Sequence, residues 1–288
     1  MPPPLADDPA SNDPVPHDSA QHDPVPHDLA HARASETTAP NHAPEPSPTP
    51  QRGIVEVIWG AAATALAVFY TAALAPCAAL VSVLGYPHLA TPISRLWGWL
   101  IVRTSGVTAE IEGLEHLAGL KSYVLVSNHQ SFFDIFAICA WMPGEPRFVA
   151  KQELGKIPVL GSAMRRSGHI MIDRAKGGQA IRKALKIARE GFSIVVFAEG
   201  TRFSDNRVHP FNDGAAWLAI ATRQKCVPMA ISGTAGFFPR GARIVRPGRR
   251  MRMAIGPPVD TTELRGADRE ALTRQLEASV RALFRTEV

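Results

Sequence analysis

The hydrophobic pattern divides the chain into three parts. Residues 1–52 contain almost no large apolar side chains, residues 53–105 contain the longest uncharged stretch, and residues 106–288 alternate short apolar runs with amphipathic segments. Short apolar runs are typical of buried strands, and apolar residues three and four positions apart are typical of helices. Because strands and helices alternate in the third part, the pattern predicts an α/β domain with a mixed, mainly parallel sheet flanked by helices.

Individual elements of this domain follow from the same pattern. Runs rich in β-branched and aromatic residues predict strands, and segments with one apolar face predict helices. The predicted strands are 107–111, 123–126, 146–150, 168–172, 193–198, 227–232 and 253–256, and the predicted helices are 135–141, 179–190 and one capped by Asp268.

The uncharged stretch, residues 57–86, is long enough for a membrane segment, since about 20 residues span a bilayer as a helix. Pro76 and the 85–87 breaker are expected to divide it. Residues 93–102 form a second apolar face, with Trp97 at the interface. Three interpretations fit the 53–105 region: a transmembrane span, a helical hairpin lying in one leaflet, or a buried core helix. The pattern favours membrane-associated helices ahead of the α/β domain.

Charge is distributed unevenly along the chain. Residues 1–52 contain eight acidic and two basic residues, a net charge of −6, so the rest of the chain is +11 because the total is +5. The tail is rich in Pro and His and is predicted to be disordered, a solvated linker rather than a metal site. A basic body fits an anionic membrane, a phosphorylated substrate or nucleic acid. The lack of an aromatic stacking platform disfavours nucleic acid.

The candidate chemistry lies in segment 127–134, with the sequence Ser-Asn-His-Gln-Ser-Phe-Phe-Asp between a predicted strand and a predicted helix. Five residues along a helix rotate by about 500°, so His129 and Asp134 meet only if His129 lies on the turn and Asp134 reaches back from the first helical turn. A carboxylate placed in this way orients a general-base imidazole. Ser131 and Asp134 also match a capping box, in which Asp134 only accepts a backbone N–H bond. Since the chain has no Gly-x-Ser-x-Gly elbow, the expected nucleophile is a substrate hydroxyl.

Several blocks in this part of the chain resemble, in order, the motifs of the glycerolipid acyltransferases, the 1-acylglycerol-3-phosphate acyltransferase family. The resemblance covers about residues 120–235. The blocks are Asn128-His129-x4-Asp134, Lys151-Gln152-Glu153-Leu154 with Ile157-Pro158 and Gly161, Gly168-His169-Ile170-Met171-Ile172-Asp173-Arg174, Phe197-Ala198-Glu199-Gly200-Thr201-Arg202, and Val227-Pro228-Met229.

The resemblance implies a role for each matching residue. His129 is expected to be the general base and Asp134 its partner. Cations that follow predicted strands are expected to bind the substrate phosphate, for which a guanidinium offers a bidentate fork; these are Arg174, Arg202 and Lys151. The residues expected to shape the substrate site are Asn128, Glu199, Gly200, Thr201 and Pro228. Glu199 would pair with an arginine or bind a substrate hydroxyl, and Pro228 would line an acyl channel or simply lie at a strand edge.

The expected reaction transfers an acyl chain from acyl-CoA or acyl-carrier protein to the free hydroxyl of 1-acyl-sn-glycerol-3-phosphate, that is, lysophosphatidic acid. No cofactor and no metal ion is expected. The expected location is the inner, cytoplasmic membrane, with the catalytic domain facing the cytoplasm and membrane lipids as partners. Two alternatives stay open: another lysolipid acceptor, such as lyso-ornithine lipid or a lysophospholipid, and a non-catalytic membrane-anchored protein that binds anionic lipid. The sequence departs from the family at Asn212-Asp213-Gly214, where the family often has a lysine.

Overall fold

The structure is a computed structural model, and it describes residues 53–157, 160–172, 177–238 and 241–288. The predicted tail, residues 1–52, lies outside the described residues, as does Arg174. What the sequence predicts for them therefore stays a prediction.

A seven-stranded sheet organises the described residues, in the order β1-β7-β6-β2-β5-β3-β4. All neighbouring strands are parallel except β6 and β7. Strands β2 to β6 therefore end at the same edge, which we call the carboxyl edge. The mixed, mainly parallel sheet predicted from the sequence is confirmed. The strands are β1 (Thr108–Glu112), β2 (Val124–Ser127), β3 (Pro146–Lys151), β4 (Ile170–Ile172), β5 (Ser193–Phe197), β6 (Cys226–Ser232) and β7 (Arg250–Ile255).

Helices cover both faces of the sheet. Strand residues alternate between the faces, so Leu125 packs with α2 and α3, while Val124 and Val126 pack with α5, α6 and α7. Two apolar layers result, one on each side of the sheet. The helices are α1 (Ile54–Val83), α2 (Ala90–Thr104), α3 (Phe133–Trp141), α4 (Leu160–Arg166), α5 (Gly177–Arg189), α6 (Gly214–Thr222) and α7 (Arg269–Leu283).

Helix α1 differs from the others because most of its apolar surface is exposed. Among the described residues it is the one helix long and apolar enough to cross a membrane, and only 11% of its most apolar window is buried. Its inner side is held by hydrogen bonds from the Trp59 indole to the Thr104 carbonyl and from the Trp97 indole to the Thr71 hydroxyl. The buried-core-helix interpretation of this segment is therefore wrong.

Two details of the predicted helices need correction, whereas the predicted breaker at 85–87 is confirmed. Pro76 does not divide α1, since the helix continues through it to Val83 and loses one internal hydrogen bond there. It stops where Gly85 adopts a φ of 89° and the N–H of Tyr86 bonds back to the Val81 carbonyl. Asp268 precedes α7, but its carboxylate accepts the N–H of Arg265 rather than a helical N–H.

Candidate active site

The turn between β2 and α3 brings His129 and Asp134 together. Nδ1 of His129 lies 2.7 Å from Oδ2 of Asp134, which is the second residue of α3. Because an ionised carboxylate can only accept, Nδ1 carries the proton and Nε2 holds the free lone pair. The His129 side chain is 12% exposed and that of Asp134 is fully buried. The contact predicted from the spacing is confirmed, and an imidazole held in this tautomer is equipped to remove a proton.

Asp134 satisfies the capping interpretation at the same time. Its Oδ2 also accepts the backbone N–H groups of Gln130 and Ser131, at 2.8 and 2.9 Å, and Oδ1 accepts the Thr234 hydroxyl at 2.6 Å. Four hydrogen bonds thus hold a carboxylate that has no access to solvent. Burial of a charge costs free energy unless the charge is hydrogen-bonded, and these bonds offset that cost. The two interpretations of the spacing are compatible, because capping fixes the carboxylate in the orientation that His129 requires.

One face of the His129 ring and both backbone polar groups of His129 also have partners. The ring of Phe197, the last residue of β5, stacks on it at 3.8 Å with an interplanar angle of 11°. The backbone N–H of His129 donates to Glu199, and its carbonyl accepts the N–H of Phe203, both at 3.0 Å. The ring is therefore positioned by the end of β5, and the backbone by the segment that follows β5.

Glu199 is 6% exposed, and its side chain connects the turn after β2 to the loop after β5. Its Oε2 accepts the N–H of His129 and its Oε1 accepts the N–H of His209, each at 3.0 Å. Burial raises the pKa of this carboxyl to about 7, although the two backbone donors lower it. Both oxygens of Glu199 thus bind backbone groups, a function that the sequence did not predict.

Asn128 connects the turn to β6. Its side-chain amide donates to the Ile231 carbonyl at 2.9 Å and its amide oxygen accepts the Ile231 N–H at 2.8 Å. These are the two bonds that a further backbone pair would make, so the side chain extends the β2–β6 pairing beyond the last strand residue. Asn128 thereby fixes the start of the turn that carries His129.

Among the predicted phosphate ligands that the structure describes, Arg202 contacts the turn that carries His129. Its guanidinium carbon is 3.7 Å from the centroid of the Phe132 ring, the residue that precedes α3. Lys151 is exposed and ends β3, which β5 separates from β2. Arg174 lies outside the described residues. Arg202 and Lys151 therefore share the carboxyl edge with His129, and phosphate binding by all three cations stays a prediction.

The remaining predicted residues lie at or near the same edge. Gly200 has a φ of 71°, which favours glycine and lets the chain turn after β5, and Thr201 is half-buried beside it. Pro228 is buried within β6, opposite Val126 of β2. Its carbonyl accepts the Gly256 N–H at 2.8 Å, one residue before the β6–β7 pairing begins. The missing N–H of proline is tolerated there, whereas a role in an acyl channel stays a prediction.

The departure at residues 212–214 has a structural explanation. The Asn212 side chain donates to the Ala198 carbonyl at 3.1 Å, and Asp213 pairs with Arg269 of α7 at 3.0 Å. Both residues therefore hold the end of the loop that follows β5, one against the start of the loop and the other against α7.

Sequence reasoning missed three residues that contact the predicted ones. Thr234 bonds to Asp134, Phe197 stacks on His129, and Phe132 lies under Arg202. Thr234 follows β6 by two residues, so its position after a predicted strand is the signal that marks it in the sequence. Gly233 before it has a φ of 84° and approaches the Arg250 carbonyl so closely that a side chain would clash, which marks a fixed turn.

Comparisons with known proteins point to one family. A family model described as Acyltransferase matches residues 108–232. The 1-acyl-sn-glycerol-3-phosphate acyltransferase of Limnanthes alba is 32% identical over 192 residues, which cover 64% of this chain and 67% of that protein. The alpha form from Ovis aries is 33% identical over 184 residues, which cover 62% and 64%.

The fold comparison agrees. The crystal structure of the 1-acyl-sn-glycerophosphate acyltransferase PlsC from Thermotoga maritima superposes with a TM-score of 0.65, covering 79% of this chain and 95% of that one, at 24% identity. This likeness supports the fold, and the match to the Limnanthes protein extends over two thirds of its length. The match to the sheep protein covers less than two thirds of that relative. The chain belongs to the 1-acyl-sn-glycerol-3-phosphate acyltransferase family.

Proposed function

We propose that the protein transfers an acyl chain from an acyl thioester to the free hydroxyl of 1-acyl-sn-glycerol-3-phosphate, giving phosphatidic acid. The observation that carries this proposal is the His129–Asp134 pair at 2.7 Å, in which the carboxylate is fully buried. A protein that only binds anionic lipid does not require an oriented base. For this reason the catalytic alternative is preferred over lipid binding alone.

The reaction follows from the hydrogen-bonding pattern. Nε2 of His129 removes the proton of the acceptor hydroxyl as its oxygen attacks the thioester carbonyl. Asp134 stabilises the resulting imidazolium through Nδ1. When the C–S bond breaks, the imidazolium returns the proton to the leaving thiolate, so no acyl-enzyme forms. A positioned base contributes about 10² to 10⁴ in rate, and alignment of donor and acceptor supplies much of the remainder.

Substrate binding is assigned to the cations of the carboxyl edge. Arg202, Arg174 and Lys151 would bind the phosphate of the acceptor, since guanidinium and ammonium groups stay charged at neutral pH. The donor, acyl-CoA or acyl-carrier protein, is anionic and fits the basic body. Helix α1 would place this edge beside the membrane that supplies the acceptor. We propose the inner membrane, with the catalytic domain facing the cytoplasm.

The test is acyl transfer by purified, detergent-solubilised protein from labelled acyl-CoA or acyl-carrier protein. The acceptors are lysophosphatidic acid, lyso-ornithine lipid and lysophosphatidylcholine. His129→Ala should lower turnover about 10² to 10⁴-fold. The matched control is His88→Ala, because Nδ1 of His88 also lies 2.7 Å from a carboxylate, that of Glu145, and should keep wild-type turnover.

Each outcome separates the alternatives. Turnover of lysophosphatidic acid that is lost only in His129→Ala supports the proposal. Turnover of another lysolipid keeps the mechanism and changes the substrate. If His129→Ala retains full turnover, the assignment of the base is wrong. If no pair of donor and acceptor reacts, the lipid-binding alternative is preferred.

A further inference from the structure

The segment that follows β5 holds the backbone of His129 from both sides. Glu199 accepts the His129 N–H, and the N–H of Phe203 donates to the His129 carbonyl. The Ser204 hydroxyl adds a bond to the carbonyl of Gln130 at 3.2 Å. We call residues 199–209 the clamp segment. Its three bonds bind the turn that carries His129 to a different strand of the sheet.

Glu199 differs from the other members of the clamp segment because it also bonds to His209, the last residue of that segment. One carboxylate oxygen binds the His129 N–H and the other binds the His209 N–H, ten residues further along the chain. His209 is in turn held by stacking on Phe203 at 3.7 Å and by Asp205, whose Oδ2 lies 2.8 Å from Nε2. Glu199 therefore joins both ends of the clamp segment to His129.

We propose that Glu199 is a positioning residue for His129, and that only its ionised carboxylate holds both backbone N–H groups in the arrangement that the reaction requires. This inference rests on the proposed function, since it specifies how that same site is kept in register. A carboxylate presents acceptor lone pairs on both oxygens, whereas a protonated carboxyl or an amide turns one of its two arms into a donor. A donor facing a backbone N–H leaves that buried group unsatisfied.

The charges around Glu199 are consistent with titration near neutral pH. Burial raises its pKa to about 7, and the charge of Asp134 also raises it, whereas His209 and the two backbone donors lower it. The other ionisable groups at this site are His129, paired with Asp134, and Asp205, paired with His209. The clamp is therefore complete above about pH 7 and weakens as the pH falls through that value.

The main test compares Glu199→Gln with wild type in the pH dependence of kcat/KM. In wild type, protonation of Glu199 should weaken the clamp as the pH falls through about 7, which should lower kcat/KM about tenfold beyond any other loss on the acid side. Glu199→Gln removes this ionisation. Its kcat/KM should be about tenfold lower than that of wild type at pH 8, because one arm has lost its acceptor, and about equal to that of wild type below about pH 6.

Two further variants separate charge from geometry and from general effects on the loop. Glu199→Asp keeps the charge but is one methylene shorter, so it should lose rate while its kcat/KM still falls when the shorter carboxylate is protonated. Glu277→Gln is the matched control, because Glu277 accepts the Phe211 N–H at 2.9 Å near the end of the same loop but does not contact His129. It should keep both the rate and the pH dependence of wild type.

Hydrogen exchange of the 127–133 peptide gives a readout that does not need turnover. The His129 N–H should exchange about tenfold faster in Glu199→Gln and at the wild-type rate in Glu277→Gln. If exchange changes as expected while wild type transfers no acyl chain, the clamp is supported and the proposed function fails. A Glu199→Gln variant with wild-type pH dependence and wild-type exchange would overturn the inference. A variant that is less stable but keeps the wild-type pH dependence would reduce Glu199 to a structural role.

Discussion

The turn at 128–134 and helix α1 depart from ordinary globular burial in opposite directions. In the turn, Asn128, Ser131 and Asp134 are fully buried although all are polar. In α1, Val68 and Phe69 are 64% and 63% exposed although both are apolar. Burial of a polar group costs free energy unless it is hydrogen-bonded, and a long exposed apolar surface in water is unfavourable. Both departures therefore require a compensating interaction.

The two regions differ in where that compensation is found. For Asp134 it lies inside the protein, in four hydrogen bonds that also orient His129. For α1 it lies outside the protein, in the lipid that its exposed side would contact. Departures of this kind are expected where function overrides the general pattern. The site and the membrane surface can thus be tested separately.

The largest effect is expected for Asp134→Asn. The amide cannot carry the charge that stabilises the imidazolium, and it presents a donor to groups that are donors themselves. Acyl transfer should fall on the order of 10³-fold, measured as kcat/KM. Glu145→Gln is a close control, because Glu145 also binds a histidine Nδ1 and a threonine hydroxyl, at 2.7 and 3.0 Å. Equal losses in both variants would show that the turn has no special function.

Membrane association should depend on α1 and not on exposed leucines in general. Leu66 in the middle of α1 and Leu114 after β1 are both 39% exposed, so Leu66→Lys and Leu114→Lys are a matched pair. A lysine in the middle of a membrane helix costs about 2.5 to 3.5 kcal/mol, which corresponds to roughly a 100-fold loss in partitioning. Flotation with liposomes should show this loss for Leu66→Lys alone. Identical flotation of the two variants would contradict the assignment of α1 as the lipid-facing surface.

Arg202 is half-buried over the Phe132 ring, next to the turn. If it binds the acceptor phosphate, Arg202→Gln should raise KM for lysophosphatidic acid roughly 30-fold, since bonds to a charged group are stronger than neutral ones. KM for the acyl donor should change little. A change confined to kcat, measured in the same assay, would mean that Arg202 acts on the reacting atoms and not on the phosphate.

Local features of the chain account for what the sequence predicted well. His129 and Asp134 lie within one short segment, so helical geometry alone predicts their contact. Strand β2, which precedes them, is apolar and rich in β-branched residues, so the hydrophobic pattern predicts it as a strand. Helix α6 was not predicted, because its residues 214–222 are apolar on all sides and show no helical periodicity.

The contacts that the sequence did not predict depend on strand order. Phe197 reaches His129 because β5 pairs with β2, and Thr234 reaches Asp134 because β6 pairs with β2 on the other side. These partners are separated by about 70 and 100 residues in sequence, and no local pattern fixes which strands are neighbours. Glu199 illustrates the same limit, since its backbone partners exist only once the sheet has formed.

The smallest effect is expected for Thr234→Val. The substitution keeps the shape of the side chain and removes one of the four bonds to Asp134, leaving the three from the turn itself. We expect kcat to fall roughly fivefold with KM unchanged, because a less firmly held carboxylate stabilises the imidazolium mainly in the transition state. Thr261→Val is the control, since Thr261 is equally buried and donates to the Gln224 carbonyl at 2.8 Å. If Thr261→Val lowers kcat as much, the loss reflects a buried hydroxyl and not the support of Asp134.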